Sequence, residues 1–162
     1  MPNWTYNVVR FEGSKTKIKE LKKKFKSKDN VFDFNKIIPM PKNSKDFQAE
    51  GGVDNDNMEI VNDELVAKKG KLNNWYLWSA ENWGTKWNSV DAEINSESDN
   101  HVEYYFRTAW DAPRPIAKTI CENGMLEKVS GVTWSCSHEF QEDEESEKII
   151  WTEKTKSEKN NS

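Results

Sequence analysis

The strongest constraint on the fold is the alternating pattern of residues 89–110. The segments "SVDAEINSE" (about 89–97) and "HVEYYFRTAW" (about 101–110) have a period of two, and the "SDN" between them is a good turn sequence. A period of two places alternate side chains on opposite faces of a strand. We therefore predict a β-hairpin whose second strand has two faces: Val102, Tyr104, Phe106, Thr108 and Trp110 on one, and Glu103, Tyr105 and Arg107 on the other.

A strand and a helix precede this hairpin. Residues 4–11 ("WTYNVVRF") alternate and are rich in aromatic and β-branched types, which predicts a first strand. Ser14 is a capping residue, and it opens a predicted helix at about 15–27. The apolar residues of this helix recur at the helical period and predict its buried stripe: Ile18, Leu21 and Phe25.

A helix and two strands follow the hairpin. Pro113 and Pro115 suit the start of a helix at about 115–122, and Gly124 ends it. The segments "VSGVTWSCSHEF" and "KIIWTEKT" predict two closing strands. This order is the split β-α-β skeleton of a ferredoxin-like α+β sandwich, with helices on one face of an antiparallel sheet. We therefore predict a single ferredoxin-like domain at 1–155, with an extra C-terminal strand and a frayed tail at 156–162.

An insertion at about 42–82 separates the first helix from the hairpin. Just before it, two prolines exclude a helix from "VFDFNKIIPMP", which predicts an extended segment that ends in a turn. Residues 42–57 predict a solvated loop, and residues 58–69 predict a helix with an apolar face. The segment "LNNWYLWSAENW" predicts another short helix, which is broken at Gly84.

Charge is distributed unevenly along the chain. Hydrophobic residues make up only 35% and charged residues 32%, so aromatic residues, at 12%, must help to fill a lean core. Residues 1–50 hold twelve Lys and Arg against six acids, so the remainder carries the excess of negative charge behind the net charge of −4. Such a split suits a protein with two oppositely charged faces.

Nothing in the sequence indicates a membrane segment. No stretch approaches the roughly 20 apolar residues that span a bilayer, and the start "MPNWTYNVVR" has no signal-peptide pattern. Cys121 and Cys136 are too few for a secreted disulfide framework, and both are predicted to be buried, reduced thiols. We therefore expect a cytoplasmic protein.

Half of the eight tryptophans lie within residues 75–87, around the box "NWGTKW". Gly84 supplies a backbone angle that other residues resist where a helix joins a strand. Lys86, flanked by rings, predicts a cation–π contact. The box predicts mainly a structural core in which Trp83 and Trp87 hold the junction against the sheet and Trp110 adds a third ring. A ligand cage and an exposed interaction patch are the alternatives.

Four segments occur in the order "MPNW", "FNKIIPMP", "NWGTKW" and "FRTAWDAPRPI". They resemble the corresponding motifs of the Api92-like (YubB-type) proteins of phages and plasmids, over roughly residues 1–41 and 75–118. The resemblance implies a ferredoxin-like fold and a mobile-element origin. It carries no catalytic residues. The hydrophilic stretch at 42–70 and the region after residue 140 depart from the family pattern.

Sequence motifs for catalysis or for a cofactor are missing. The box "NWGTKW" lacks the second glycine and the Lys-Ser/Thr order of a phosphate loop. The "HVE" at 101–103 has no Cys-x-x-Cys mate, as zinc deaminases require. A metal site from four scattered residues lacks the tight ligand pairs of structural zinc: His101, Cys121, Cys136 and His138. We therefore expect neither an enzyme nor a metal or cofactor site.

Binding of a host macromolecule is the leading functional hypothesis. The acidic run is either a solvated loop or a carboxylate array that meets a basic partner, and its candidate contacts are Glu142, Asp143, Glu144 and Glu145. The loop at 42–57 is a second candidate contact surface. The mobile-element resemblance favours an antagonist of a host defence system, and the sequence leaves the oligomeric state open.

Binding of single-stranded nucleic acid is the alternative hypothesis. Exposed aromatic residues on a ferredoxin-like sheet can stack bases, as Tyr105 would beside Arg107, with Trp4 or Trp134 as additional rings. The lysine-rich first helix, including Lys22 and Lys23, would then hold phosphates. The negative net charge and the missing RNP-type motif argue against this hypothesis.

Overall fold

A computed structural model of the chain describes residues 3–42, 58–61, 64–67, 75–139 and 147–150. Its main element is a five-stranded antiparallel sheet with the order β4-β5-β1-β6-β7. The strands of this sheet are β1 (Trp4–Gly13), β4 (Val90–Glu97), β5 (His101–Ala109), β6 (Val129–His138) and β7 (Glu147–Ile150). The α-helices of the described chain are α1 (Lys15–Phe25), α2 (Trp75–Asn82) and α3 (Arg114–Glu122).

The strand order confirms the predicted fold class. The first strand of the main sheet after α1 is β4, which is separated from β1 by β5. The strand after α3 is β6, which is separated from β5 by β1. These two interleaved β-α-β units are the ferredoxin-like arrangement. The strand β7 extends the sheet at the β6 edge, as the predicted extra C-terminal strand.

The first helix forms where the sequence predicts it, and it ends two residues earlier. The Ser14 hydroxyl accepts a hydrogen bond from the Lys17 amide at 3.2 Å and so caps the helix. The three residues of the predicted stripe are buried against the sheet. The Phe25 ring, for example, lies 5.5 Å from Phe11 of β1 and 6.1 Å from Tyr104 of β5.

The segment after α1 corrects one expectation. It contains a 3-10 turn at Phe34–Lys36, which Asp33 caps by accepting the Asn35 amide at 2.9 Å, so it is not an extended stretch. The prolines act only on their own positions and the preceding residue, whereas the turn lies upstream of them. The Phe32 ring enters the core and stacks on Phe106 with centroids 5.0 Å apart.

The predicted helix at 58–69 is wrong. The strands β2 (Met58–Val61) and β3 (Glu64–Ala67) pair antiparallel here, with Val61 opposite Glu64. Met58, Val61 and Leu65 fit a helical spacing, but the β-branched residues of this stretch favour strands, and Asn62-Asp63 is a turn-forming pair. Residues 43–57 of the predicted loop and the predicted tail at 156–162 lie outside the described residues.

Candidate interaction surface

The four segments that carry the family resemblance contact one another at one end of the main sheet. The Trp83 indole N–H donates to the Ile38 carbonyl at 2.9 Å, and its ring lies 5.8 Å from Phe34. The Trp110 amide donates to the Asn3 carbonyl at 2.8 Å. Segments far apart in the sequence therefore build a single local structure.

Gly84 has two separate reasons to be glycine. Its φ of +77° is in the region that L side chains resist. In addition, a Cβ at this position would lie 2.6 Å from Cδ of Pro115, the proline in the first turn of α3. The glycine thus lets the tryptophan box pack directly against the start of α3.

Two buried hydroxyls fix the loop on either side of Lys86. The Ser79 hydroxyl donates to the Lys86 carbonyl at 2.7 Å, and the Thr85 hydroxyl donates to the Trp87 carbonyl at 2.8 Å. Both side chains are fully buried. They orient the backbone so that Trp83 points into the core while Lys86 and Trp87 lie half-buried at the surface.

Aromatic rings and cations pack against one another along the surface in a group that we call the tryptophan ridge. The Lys86 Nζ lies 4.7 Å from the Trp87 ring centroid and 5.8 Å from each of the Tyr76 and Trp110 centroids. The ring centroids of Trp87 and Trp4 lie 6.2 Å apart, and Cζ of Arg107 lies 4.5 Å from the Trp4 ring centroid. The tryptophan ridge consists of Trp4, Tyr76, Lys86, Trp87, Arg107 and Trp110.

This geometry confirms the predicted cation–π contact and corrects the predicted role of Trp110. Trp83 is 3% exposed and packs against Trp78 and Phe34, so it belongs to the core as expected. Trp110 was expected on the buried face of β5, but it is 43% exposed and contacts Tyr76 and Lys86. The strand ends at Ala109, so the period of two no longer holds at Trp110.

A strained turn presents Trp110 to solvent. The Asp111 amide donates to the Ala109 carbonyl at 3.0 Å, and Trp110 has φ of +76°. This combination is the positive-φ form of the γ-turn, which is rare and strained. For a bulky side chain a positive φ is an outlier, and such outliers concentrate at ligand-contacting sites.

A buried polar network holds this γ-turn from below. The Asn7 side-chain amide donates to the Thr108 hydroxyl at 3.0 Å, and that hydroxyl donates to the Asp111 carbonyl at 2.7 Å. Asn7 and Thr108 are fully buried. The Trp134 indole N–H donates to the Asn7 side-chain oxygen at 3.2 Å, which links the turn to the centre of the core. A satisfied network of this kind specifies one backbone conformation.

A second strained residue lies at the other end of the ridge. Asp91 has φ of +52° and lies where the pairing of β4 with β5 shifts register between Val90 and Glu93. A bulge re-aims the side chain at its position. Here it directs the Asp91 carboxylate to the Arg107 guanidinium, which covers the Trp4 ring.

The sheet has a helix-covered face and a second face on which no helix of the described residues packs, which we call the open face. The predicted alternation along β5 assigns residues to the two faces correctly up to Thr108. Val102, Tyr104, Phe106 and Thr108 are fully buried, whereas Glu103, Tyr105 and Arg107 are half-buried on the other side. Burial, reinforced by Tyr6 and opposed by Arg107, raises the pKa of Tyr105. The open face includes Tyr6, Val8, Arg10, Glu12, Glu93, Glu103, Tyr105 and Arg107, with Thr133, Ser135 and Ser137 of β6 beside β1.

Only some of the residues suggested for nucleic-acid binding come together. Trp134 is fully buried on the helix-covered face, so its predicted role as a base-stacking ring is wrong. Lys22 and Lys23 belong to α1, which packs on the helix-covered face, and Lys22 pairs there with Glu97 at 2.6 Å. They lie in a different layer from Tyr105 and Arg107. Trp4, in contrast, lies beside Arg107 as the hypothesis requires.

Three further predictions from the sequence concern the acidic run, a metal site and a membrane segment. Glu142, Asp143, Glu144 and Glu145 lie outside the described residues. Within the described ranges, no three His, Cys, Asp or Glu residues come close enough to hold a metal ion. No helix of the described chain is long and apolar enough to cross a membrane.

Comparison with known proteins adds no relatives. No protein-family model, curated protein or solved structure matches the chain. The resemblance to the Api92-like proteins therefore stays a prediction from the motifs.

Proposed function

We propose that this chain is a binding protein that contacts a macromolecular partner, foremost a protein, through the tryptophan ridge. The observation that carries this proposal is the exposure of Trp110 on a strained γ-turn that a buried network holds in place. The proposed role is binding and not catalysis.

The energetics favour an interface over a purely structural role. A residue in a sparsely populated backbone region costs about 1–3 kcal/mol, and this turn uses that strain to place a large ring at the surface. Trp, Tyr and Arg are the residue types that dominate binding energy at protein interfaces, and the ridge is composed of these types and one lysine. The neighbouring rings and cations hold one another, so little side-chain entropy remains to be lost on binding.

The biological setting is part of the same proposal and rests on the motif resemblance. We propose an accessory protein of a phage or plasmid that acts in the bacterial cytoplasm on a host macromolecule, as an antagonist of a host defence system. The acidic residues Glu142–Glu145 and the loop at 42–57 remain predicted additional contacts. The ridge is the contact surface that the described residues support.

The test is an affinity purification of the tagged protein from a bacterial lysate, divided into nuclease-treated and untreated halves. The variant Trp110→Gly removes the ring, and glycine suits the φ of +76° at this position. We expect to recover a partner protein in the nuclease-treated half as well as in the untreated half. Trp110→Gly should reduce the recovered amount at least tenfold. Trp110→Tyr, which keeps a ring, should retain most of it.

Two results would contradict the proposal. Undiminished recovery of the partner with Trp110→Gly would show that the ridge is not the contact surface. Recovery that disappears in the nuclease-treated half would favour the nucleic-acid alternative, in which Trp4, Tyr105 and Arg107 contact bases. Circular dichroism of each variant verifies that the fold is intact.

A further inference from the structure

We infer that the open face beside the tryptophan ridge binds a basic, arginine-bearing segment of the protein partner. This inference rests on the proposed function, because the open face and the ridge form one continuous surface. Arg107 belongs to both, and Trp4 lies at the end of β1, whose next outward-facing residue is Tyr6. A partner that contacts the ridge therefore meets the open face next.

Two tyrosines provide aromatic contact area at the centre of the open face. In the pairing of β1 with β5, Tyr6 lies opposite Arg107, and Tyr105 lies opposite Val8. The two tyrosines are thus diagonal neighbours across adjacent strands, a spacing that aromatic side chains can bridge. Both are half-buried, so each keeps part of its ring available to a partner.

The charges of the open face determine whether it attracts a positively or a negatively charged partner. Arg10 is paired with Glu12 at 2.9 Å, and Arg107 is paired with Asp91. Both arginines of the face thus have a carboxylate partner, and Arg10 also lies opposite Glu103 in the pairing of β1 with β5, so the carboxylates of the face outnumber its cations. In the described part of the chain, no cation pairs with the two remaining carboxylates of the face, Glu93 and Glu103.

The positions of these carboxylates match a guanidinium partner. Glu93 lies directly opposite Tyr105 in the pairing of β4 with β5. Glu103 precedes Tyr105 by two residues on β5 and therefore lies on the same face. Glu103 accepts one hydrogen bond, from the Asn95 side-chain amide at 2.7 Å, which leaves acceptor capacity. A planar guanidinium can stack on a tyrosine ring while it donates to a carboxylate at the ring edge, which a lysine ammonium does less well.

The same arrangement disfavours a phosphate backbone as the occupant. Glu93 and Glu103 would repel phosphates beside the rings on which bases would stack. The exposed lysines of α1, which would attract phosphates, lie in the opposite layer of the molecule. Charge complementarity therefore favours a basic protein segment.

The experiment measures the affinity of the full chain for nona-arginine by titration calorimetry. Nona-lysine and a twelve-nucleotide thymidine oligonucleotide are titrated for comparison. We expect nona-arginine to bind more tightly than nona-lysine. The double variant Glu93→Gln with Glu103→Gln should weaken nona-arginine binding by at least tenfold. Tyr105→Ala should weaken it as well, and Tyr105→Phe should not.

The matched control is Glu122→Gln with Glu127→Gln, which removes the same charge from exposed positions away from the open face. Equal weakening by the two double variants would overturn the inference, because it would indicate non-specific attraction. Tighter binding of the oligonucleotide than of nona-arginine would also overturn it. A third result would also overturn it: self-association of the protein without peptide that the variant Glu93→Gln with Glu103→Gln abolishes. The occupant of the open face would then be α1 of a second copy.

The two proposals fail in different ways. If Trp110→Gly loses the lysate partner but nona-arginine binding does not depend on Glu93 and Glu103, only the inference about the open face is wrong. If Trp110→Gly retains the partner, the proposed function itself is wrong, whatever the peptide result.

Discussion

Four tryptophans of the described chain form two pairs whose surroundings differ in kind. Trp83 and Trp134 are buried among other aromatic rings, and each donates its indole N–H to an internal acceptor, the Ile38 carbonyl at 2.9 Å or the Asn7 side chain at 3.2 Å. Trp87 and Trp110 keep part of their surface exposed and are flanked by the Lys86 cation.

This difference separates the rings that stabilise the fold from those that are available to a partner. Buried rings gain free energy from lost contact with water, and their polar atoms must find partners inside the protein. Rings at the ridge are held by cations whose charged groups stay near water. Trp83 and Trp87 lie four residues apart, so residue type and local composition do not distinguish the two sets. Only their tertiary surroundings do.

The largest expected effect is the loss of a buried ring. Trp83→Ala should lower the free energy of unfolding by about 3–5 kcal/mol, because it leaves a cavity between Phe34 and Trp78 and removes the partner of the Ile38 carbonyl. Trp110→Gly should lower it by less than about 1 kcal/mol, because relief of strain offsets the lost contacts. Urea unfolding monitored by circular dichroism measures both. Similar losses for the two variants would remove the distinction between the sets.

The second effect concerns Gly84, which separates Trp83 from the ridge residues. Gly84→Ala combines a positive φ with a Cβ only 2.6 Å from the Pro115 ring. Gly124→Ala is the matched control, since Gly124 has φ of +73° but a Cβ there would meet nothing within 4 Å. We expect a loss of about 1–2 kcal/mol for the control, from backbone strain alone.

The loss for Gly84→Ala should exceed that of its control, and partner binding should fall as well because the loop shifts. Unfolding by denaturant measures the stabilities. Equal losses for the two variants would mean that the contact with α3 places no steric demand on the loop.

The third effect is dependent on pH and concerns the segment that packs against Trp83. Burial raises the pKa of Asp33, but hydrogen bonds from the Asn88 side chain, the Asn35 backbone and the side chains of Ser27 and Asn35 outweigh it, so the pKa lies below its ordinary value of 3.8. A depressed carboxylate pKa stabilises the fold above the ordinary pKa, and that contribution is lost as the pH falls through the folded-state value.

Asp33→Asn should therefore be less stable than the parent at pH 6, and the difference should shrink below about pH 4. Thermal unfolding at a series of pH values measures this difference, with Asp29→Asn, an exposed acid near the end of α1, as the control. A difference that stays constant with pH would contradict the role of the Asp33 carboxylate.

The smallest expected effect concerns the cation of the ridge. Lys86→Met keeps a similar apolar chain and removes the charge among the Tyr76, Trp87 and Trp110 rings, so it should cost about 0.5–1 kcal/mol of unfolding free energy. Lys19→Met, on the exposed side of α1, should change stability less. A tryptophan emission shift in Lys86→Met alone would locate the effect at the ridge. No shift would argue against the cation–π contacts.

Most of the fold could be predicted because its signals are local. The helical spacing of Ile18, Leu21 and Phe25 and the period of two along β5 need only neighbouring residues to be recognised, and both are confirmed. The hairpin of β2 and β3 was missed because Met58, Val61 and Leu65 also fit a helix, and strand pairing decides between the two.

The candidate site could be predicted only in part. The sequence shows that "NWGTKW" is unusual and that Lys86 lies among rings, but the exposure of Trp110 depends on Asn7, a residue of another strand more than one hundred positions away. The orientation of Asp91 depends in the same way on a register shift between β4 and β5. Such features arise from tertiary packing, and no local pattern encodes them.

Binding through the tryptophan ridge is tested most directly by photo-crosslinking from the ridge itself. A photoreactive phenylalanine analogue replaces Trp110 in one protein and Lys118, an exposed residue of α3, in another, and both are irradiated in nuclease-treated bacterial lysate. If the ridge is the contact surface, position 110 should give one dominant crosslinked partner protein that position 118 does not give. The same set of crosslinked proteins from both positions, or none from position 110, would contradict it.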